Sequence, residues 1–483
     1  MKKVRTRFAP SPTGYLHIGG LRTALYAFLY AKKHNGDFIL RIEDTDRERL
    51  VEDACTVIYD TMKQTGLMYD EGPDVGGDYG PYIQSERESI YKEYAEKLVE
   101  KGAAYYCFCT KERLADLRAK KEANGEAFTY DKHCLSLSKE EIQEKLDAGE
   151  SYVIRQNIPK DGETTYKDAV YGEITVPNAD LDDNVLLKSD GMPTYNLANV
   201  VDDYLMGITH IIRGVEYLSS TPKYNLLYKA LDWEVPEYIH LPPVMKDKHQ
   251  KLSKRHGDAS YQDFIDKGYI KEAIINYIAL LGWSGKGEQE IYSLDELIDA
   301  FDIDGLSKSP AIFDIEKLTW MNAQYIRSFS NEEFIARAMP FFREAGVENF
   351  DLELITEAIQ PRLEHMTAIP EKLTFLKEMP DYDLELYKHK RMKTSADMAL
   401  SVLEPCLKLF EETDIFTRDG LHDPVMALVE QLGVKTGQLL WPLRIAITGT
   451  LVTPGGAFEA AELLGKEETI KRLKISIDKL KNM

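Results

Sequence analysis

Arg7-Phe8-Ala9-Pro10-Ser11-Pro12-Thr13-Gly14-Tyr15-Leu16-His17-Ile18-Gly19-Gly20, close to the start of a 483-residue chain, decides the fold. Val4 to Phe8 is a short basic strand candidate, and the two prolines of Ala9 to Gly14 forbid a helix straight after it. Leu21, Ala24, Leu25, Phe28 and Leu29 then recur at i, i+3, i+4, i+7 and i+8, which predicts an amphipathic helix closed by Asn35-Gly36. Phe38 to Ile42 is a short apolar run suited to a parallel sheet. Strand, turn, helix and strand make a βαβ unit, and open α/β sheets bind ligands at the carboxyl ends of their strands. His17 falls at the helix N-terminus, where backbone N–H groups and the dipole favour phosphate, and Gly19 and Gly20 let a nucleotide approach the backbone. For this segment alone an incidental histidine in a turn is the plainer alternative.

Working outward, Ser85-x-x-Glu88 reads as a capping box for a helix with Tyr91, Tyr94, Ala95 and Leu98 on its apolar face and Gly102 as its stop. Residues 103 to 190 read as a mixed insert. It has a second capping box (Ser138, Glu141), strands at Tyr152 to Ile158 and Val185 to Lys188, and a hairpin signal at Asp190-Gly191. From about residue 260 onward helical periodicity dominates, as in Leu463, Ile470, Leu473 and Ile477.

A chain that is 43% hydrophobic and 29% charged is neither disordered nor fibrous. It has no apolar run of membrane-spanning length and no apolar signal core after Met1 to Arg7, so a cytoplasmic protein with no membrane partner is expected. The net charge of −21 argues against a nucleic-acid partner only globally, because a local basic patch can coexist with an acidic remainder. Residues 466 to 483 carry six Lys or Arg against three Asp or Glu. Five scattered cysteines do not make a disulfide framework. Cys107, Cys109 and Cys134, with His133 adjacent, are instead a candidate tetrahedral zinc site, with reduced metal-free thiols as the alternative.

Lys251-Leu252-Ser253-Lys254-Arg255, preceded by Lys246 and Lys248, gathers cations and a hydroxyl in a pattern suited to polyphosphate, although a solvated basic loop would look similar. Paired with His17-Ile18-Gly19-Gly20, it resembles the two signatures of class I aminoacyl-tRNA synthetases. Phe8 to Gly14, Arg41-Ile42-Glu43-Asp44-Thr45-Asp46, Pro193 to Asp203 and Pro442-Leu443-Arg444 are similar to the bacterial glutamyl-tRNA synthetases, over essentially the whole chain. Gly20 in place of His and Arg255 in place of Ser depart from the general class pattern, but both variants occur in the glutamyl family.

The resemblance implies ATP-dependent activation of glutamate to the adenylate and transfer to the terminal ribose of tRNA(Glu), with tRNA(Gln) a further candidate and Mg2+ accompanying ATP. By the same resemblance His17, Lys251 and Lys254 are catalytic. His17, Gly19, Gly20, Glu216 and Lys254 bind ATP. Arg7 takes the side-chain carboxylate, Glu43 the α-amino group, and Ser11, Tyr195, Asn199 and Arg213 complete the glutamate pocket, although Tyr195 and Asn199 have a spacing that also suits packing. A structural Zn2+ is implied on Cys107, Cys109 and Cys134. Some relatives complete that site with a His two residues on, but Ser136 stands there, leaving His133 as a substitute for the fourth ligand.

The fold so implied is α/β: a Rossmann-like catalytic domain (1–89 and 196–246), an inserted α+β acceptor-stem-binding domain (90–195), a stem-contact region with the Lys251–Arg255 loop (247–325) and an all-α anticodon-binding region (326–483). Glutaminyl enzymes carry β-barrels in that last region. A monomer is expected. An inactive tRNA-binding paralogue and a nucleotidyltransferase without tRNA are the competing classes. The intact His17, Lys251, Lys254, Arg7 and Glu43 argue against the first, and the long helical half argues against the second.

Overall fold

A computed structural model describes residues 2–46, 51, 53–126, 128–252 and 260–482. The chain divides into two compact units, residues 1–264 with 274–314 and residues 265–273 with 315–483. Among the described residues no helix is long and apolar enough to cross a membrane.

In chain order the first unit contains β1 (Arg5–Phe8), α1 (Ile18–Lys33), β2 (Asp37–Leu40), α2 (Ala54–Thr65), α3 (Glu88–Glu100), β3 (Ala104–Cys107), α4 (Lys111–Ala123), α5 (Lys139–Asp147), β4 (Val153–Gln156), β5 (Glu163–Asp168), β6 (Gly172–Pro177), β7 (Val185–Leu187), α6 (Tyr195–Leu205), β8 (His210–Gly214), α7 (Thr221–Ala230) and β9 (Glu237–Leu241). The opening βαβ unit forms as its periodicity predicts. β1 and β2 pair in parallel from Arg5↔Asp37 to Phe8↔Leu40, and Leu21, Ala24, Leu25, Phe28 and Leu29 of α1 are all buried. Burying each large apolar side chain contributes about 1.5–3 kcal/mol, so this stripe drives α1 onto the sheet. Gly36 reverses the chain so closely against Val4 that an added Cβ would lie 2.2 Å from the Val4 carbonyl oxygen.

β8 continues this layer, because Thr209 N–H donates to the Arg5 carbonyl at 2.9 Å. β8 and β9 pair in parallel, β5 joins β9 through Asp168↔Tyr238, and antiparallel β6 closes that edge. The β5–β6 hairpin lies inside residues 90–195 yet belongs to the sheet of β8 and β9. Separately, β3, β4 and β7 form a small antiparallel sheet. The apolar faces of α3, α6 and α7 share one core, with Tyr91, Leu98, Leu197, Val201, Leu227 and Tyr228 at its centre.

One local expectation is corrected. Ser85 is not a cap: a 3-10 turn spans Gln84–Arg87, and α3 starts at Glu88 without a side-chain cap. Ser85 instead donates its N–H (2.8 Å) and hydroxyl (2.6 Å) to Asp44, a tertiary acceptor that outcompetes the local one. The hairpin signal at Asp190-Gly191 is realised in short form: Gly191 takes φ +85°, Lys188 N–H donates to the Met192 carbonyl and Thr194 N–H to the Leu186 carbonyl (2.8 Å each), and Leu187 pairs antiparallel with Pro193 before α6 begins. The capping box of Ser138 and Glu141 forms as read.

The second unit is helical, with helices over Ile315–Ser328, Asn331–Ala345, Leu352–Ile359, Ile369–Lys377, Ala396–Glu412, Arg418–Gln431, Thr436–Thr448 and Ala457–Lys481. The last is broken at Gly465 (φ +74°). Arg472, 1% exposed, ties its second half inward by donating to the carbonyls of Phe375 (2.6 Å) and Ile447 (3.0 Å) and pairing with Glu468 at 2.8 Å.

Candidate active site

The carboxyl ends of β1, β2, β8 and β9 and the last turns of α6 converge on a set of buried charges. Arg7 on β1 holds Asp203 through Nε (3.0 Å) and Nη2 (3.2 Å). Arg41, just past β2, reaches Asp203 at 2.8 Å and Glu43 at 3.2 Å. Arg87 binds Asp202 at 2.8 Å, and Asp202 also accepts from Gln84 (2.8 Å) and Tyr91 (2.9 Å). Three guanidinium groups thus face three carboxylates out of water, a balance that burial demands. Burial pushes Glu43 up, against the opposing pull of Arg41 and Arg7, whereas for Asp203 those two cations overcome burial and hold it below the usual carboxylate range.

Arg213, at the end of β8 and 4% exposed, is different: among the described residues it forms no ion pair. Its Nε donates to His240 Nε2 (3.1 Å), Nη1 to the Tyr195 hydroxyl (3.4 Å) and Nη2 to Thr221 Oγ1 (2.8 Å), and its guanidinium sits over the rings of Tyr217, Tyr224 and Tyr238. A buried cation held only by neutral groups suits an incoming anion. Tyr195, whose hydroxyl burial pushes up, stacks on Tyr217. Asn199 is buried and donates to the Tyr195 carbonyl, one turn back on α6. Ser11 is exposed on the proline loop, which is lashed to the pocket by Glu43 N–H donating to the Pro10 carbonyl at 3.0 Å.

His17 caps α1, with Nδ1 accepting from Gly19 N–H at 3.0 Å. Its backbone pairs with Ser260, and Tyr261 N–H donates to the Leu16 carbonyl at 3.2 Å. On the other side of the second signature, Lys251 is exposed and pairs with Met245, while Asp247 Oδ1 closes the turn by accepting from His249 and Gln250. The chain on each side of that signature is therefore anchored in the unit that carries His17. Lys254, with Ser253 and Arg255, lies outside the described residues. Glu216 follows β8 and turns back on Gly214, where an added Cβ would lie 2.2 Å from its carboxylate. A cavity of about 710 Å³ opens at the amino ends of β8 and β9, away from all these groups.

The thiols of Cys107, Cys109 and Cys134 come together, their sulfurs within 4.8 Å of one another. His133 is not part of this group; it is exposed at the start of a 3-10 turn. The Tyr130 hydroxyl is there instead, 3.3 Å from Cys107 Sγ and 3.2 Å from Cys109 Sγ. Burial raises Cys107, but Tyr130 and the Arg155 guanidinium outweigh it and leave the thiol lowered; Cys109 is pushed up to about 12 by burial and by its neighbouring thiols.

Residues 3–320 match the family described as tRNA synthetases class I (E and Q), catalytic domain. The chain belongs to this family of class I tRNA synthetases. Residues 333–477 match an anticodon binding domain. The glutamate–tRNA ligase of Clostridium tetani is 59% identical over 480 residues, covering 99% of this chain and 98% of that protein, and that of Clostridium acetobutylicum is 58% identical over 481 residues with 99% of both covered. Among solved structures, a glutamate tRNA ligase from Elizabethkingia meningosepticum in complex with its amino acid aligns with a TM-score of 0.93 and 37% identity, over 99% of this chain and 100% of that one. A glutamate-tRNA synthetase from Elizabethkingia anophelis gives 0.90, also at 37% identity and with the same coverage. Within this class I synthetase the pocket at Arg213 and Glu43 lies where an α/β sheet binds its ligand.

Several residues of the site carry no role in the sequence reading. Asp202 and Asp203 had a signal, two carboxylates within the apolar face of α6, and His240 stood alone in the apolar run Tyr238 to Leu241. Tyr130 had none, since a phenol is an uncommon metal ligand.

Proposed function

We propose that this class I synthetase is a glutamate–tRNA ligase using ATP. The observation that carries the reading is Arg213, a buried guanidinium without an anionic partner among the described residues, bonded to Tyr195. Such a group matches a side-chain carboxylate and is poorly matched by an amide. Its full-length relatives bear the same name.

Arg7, already bidentate with Asp203, has hydrogen-bonding capacity left for the side-chain carboxylate beside Arg213. Glu43 takes the α-amino group, whose positive charge favours the ionised form that burial disfavours. Ser11, Tyr195 and Asn199 complete the pocket. His17, with Gly19 and Gly20, lies at the N-terminus of α1 and receives the α-phosphate, Glu216 lies near the nucleotide, and Lys251 and Lys254 hold the leaving phosphates. The glutamate α-carboxylate attacks the α-phosphorus in line, and pyrophosphate leaves with the bonding pair. A terminal ribose hydroxyl of tRNA(Glu), the 2′ one in class I enzymes, then attacks the adenylate carbonyl and AMP leaves. These residues act by positioning and by stabilising charge on oxygen. Mg2+ held by the phosphates would neutralise the triphosphate.

Cys107, Cys109 and Cys134, with the Tyr130 hydroxyl beside them, would hold Zn2+ as a structural ion. Residues 1–89 and 196–246, joined by the β5–β6 hairpin, form the catalytic domain, the remainder of 90–195 binds the acceptor stem, 247–325 contact the stem and 326–483 read the anticodon. The protein works as a cytoplasmic monomer, with tRNA(Gln) a further candidate substrate beside tRNA(Glu). Charging of total bacterial tRNA with labelled glutamate or labelled glutamine tests the reading. Glutamate transfer abolished by His17→Ala is expected; transfer of glutamine in preference to glutamate would overturn it.

A further inference from the structure

We propose that Asp168 and His240 are positioning residues that hold Arg213 in the orientation needed to receive the side-chain carboxylate of the bound amino acid. This rests on the reading of Arg213 as a glutamate contact. Asp168, 1% exposed, sits at the end of β5, and His240, fully buried, on β9. Every acceptor direction of Asp168 is used. Oδ1 accepts from the N–H groups of Val170 (2.9 Å) and Tyr171 (2.8 Å), and Oδ2 accepts from His240 N–H (3.1 Å) and lies 2.7 Å from His240 Nδ1.

An acceptor at Nδ1 places the imidazole proton there and leaves a lone pair at Nε2. That lone pair faces Arg213 Nε at 3.1 Å, and Arg213 Nε–H donates to it. A second acceptor is fixed in the same way: the Thr221 hydroxyl donates to the Tyr217 carbonyl (2.8 Å), so its lone pairs face Arg213 Nη2. A guanidinium has five N–H donors. His240, Thr221 and Tyr195 take one each from Nε, Nη2 and Nη1, which leaves one N–H on each terminal nitrogen. This is the pair that binds a carboxylate bidentately. With the tautomer reversed, Nε2–H would oppose Nε–H and the guanidinium would swing away. The Asp168–His240 dyad also places an anion behind a cation whose other contacts among the described residues are tyrosine rings and neutral oxygens.

The test is steady-state charging of tRNA with His240→Leu, His240→Gln, Asp168→Asn and Arg213→Lys. His240→Leu should raise the KM for glutamate roughly tenfold to hundredfold, the loss expected when a buried cation loses a hydrogen-bonded partner. The KM values for ATP and tRNA should stay within about twofold, because those ligands do not depend on Arg213. His240→Gln, whose amide oxygen can replace Nε2 as acceptor, should restore most of the loss. Asp168→Asn should reproduce the His240→Leu effect and raise relative use of glutamine, which a merely structural role would not do. Equal changes in all three KM values, or a fall in kcat with the glutamate KM unchanged, would overturn the proposal. If His240→Leu fails to fold, Asp168→Asn and His240→Gln decide by the same criteria. An unchanged glutamate KM in Arg213→Lys would refute the reading of Arg213 itself. A raised KM there with none in the His240 and Asp168 variants would refute the positioning role alone.

Discussion

Asp203→Asn separates burial from distance as the source of an ion pair's strength. Asp203 is fully buried and accepts from Arg7 at 3.0 and 3.2 Å and from Arg41 at 2.8 Å. The variant keeps the shape but leaves three buried guanidinium groups facing two carboxylates. Removing one partner of a buried pair costs about 3–5 kcal/mol, and at roughly 2 °C per kcal/mol for a large domain the melting temperature should fall by about 6–10 °C. Lys101 and Asp232 supply the control. Their contact is shorter, 2.6 Å, but their side chains are 46% and 82% exposed, so Asp232→Asn should move the transition by less than about 2 °C. Asn also tolerates the left-handed backbone of Asp232 (φ +57°). Differential scanning calorimetry at neutral pH reads both. In the wild type, Asp203 is held below its unfolded value, so its contribution is complete above about pH 3.9 and is lost as pH falls through the lower folded value; the variant should lack this acid-side loss. Equal shifts in the two variants, or a drop below about 2 °C in Asp203→Asn, would refute the reasoning.

In the helical unit, Arg472→Met should cost about 3 kcal/mol by orphaning the Phe375 and Ile447 carbonyls, seen as a lower urea midpoint at unchanged slope. Gly36→Ala should destabilise by at least about 2 kcal/mol because the new Cβ meets Val4 backbone, and wild-type thermal stability would contradict this. Elemental analysis should find about one zinc per chain, lost in Cys134→Ser and chelated faster in Tyr130→Phe. tRNA binding should fall with salt on a log–log slope steeper than about −3, as expected if several phosphates are neutralised despite the net charge of −21; a flat dependence would sink that interface.

The βαβ opening was legible because its signals are local: two prolines, a 3.6-residue stripe and a terminal Asn-Gly, all realised in β1, α1 and β2. The role of Ser85 is not legible for the opposite reason. Its partner Asp44 lies 41 positions away, and no local pattern shows a tertiary bond outcompeting a cap. The β5–β6 hairpin carries a period-two pattern, with Thr164, Tyr166 and Asp168 buried in alternation, but in polar residues that hydropathy overlooks. Which carboxylate partners which arginine was not legible at all. Arg7 and Glu43 are visible in the sequence, whereas Asp203's hold on Arg7 depends on how α6 returns to β1. The chemistry of His133 points to the thiols, but the chain folds the Tyr130 phenol onto them and leaves His133 exposed.

The pairing of Arg7 with Asp203 spans 196 positions, with the whole 90–195 segment between them. On the ribosome this sets a timetable. At about 5–20 residues per second, roughly 10–40 s separate synthesis of Arg7 from synthesis of its carboxylate. During that interval the segments of β1 and β2 carry Arg7 and Arg41 without the helix that supplies Asp203. Burying those guanidinium groups before Asp203 is made would leave them without that carboxylate, so packing of the strand ends is disfavoured until α6 has been synthesised.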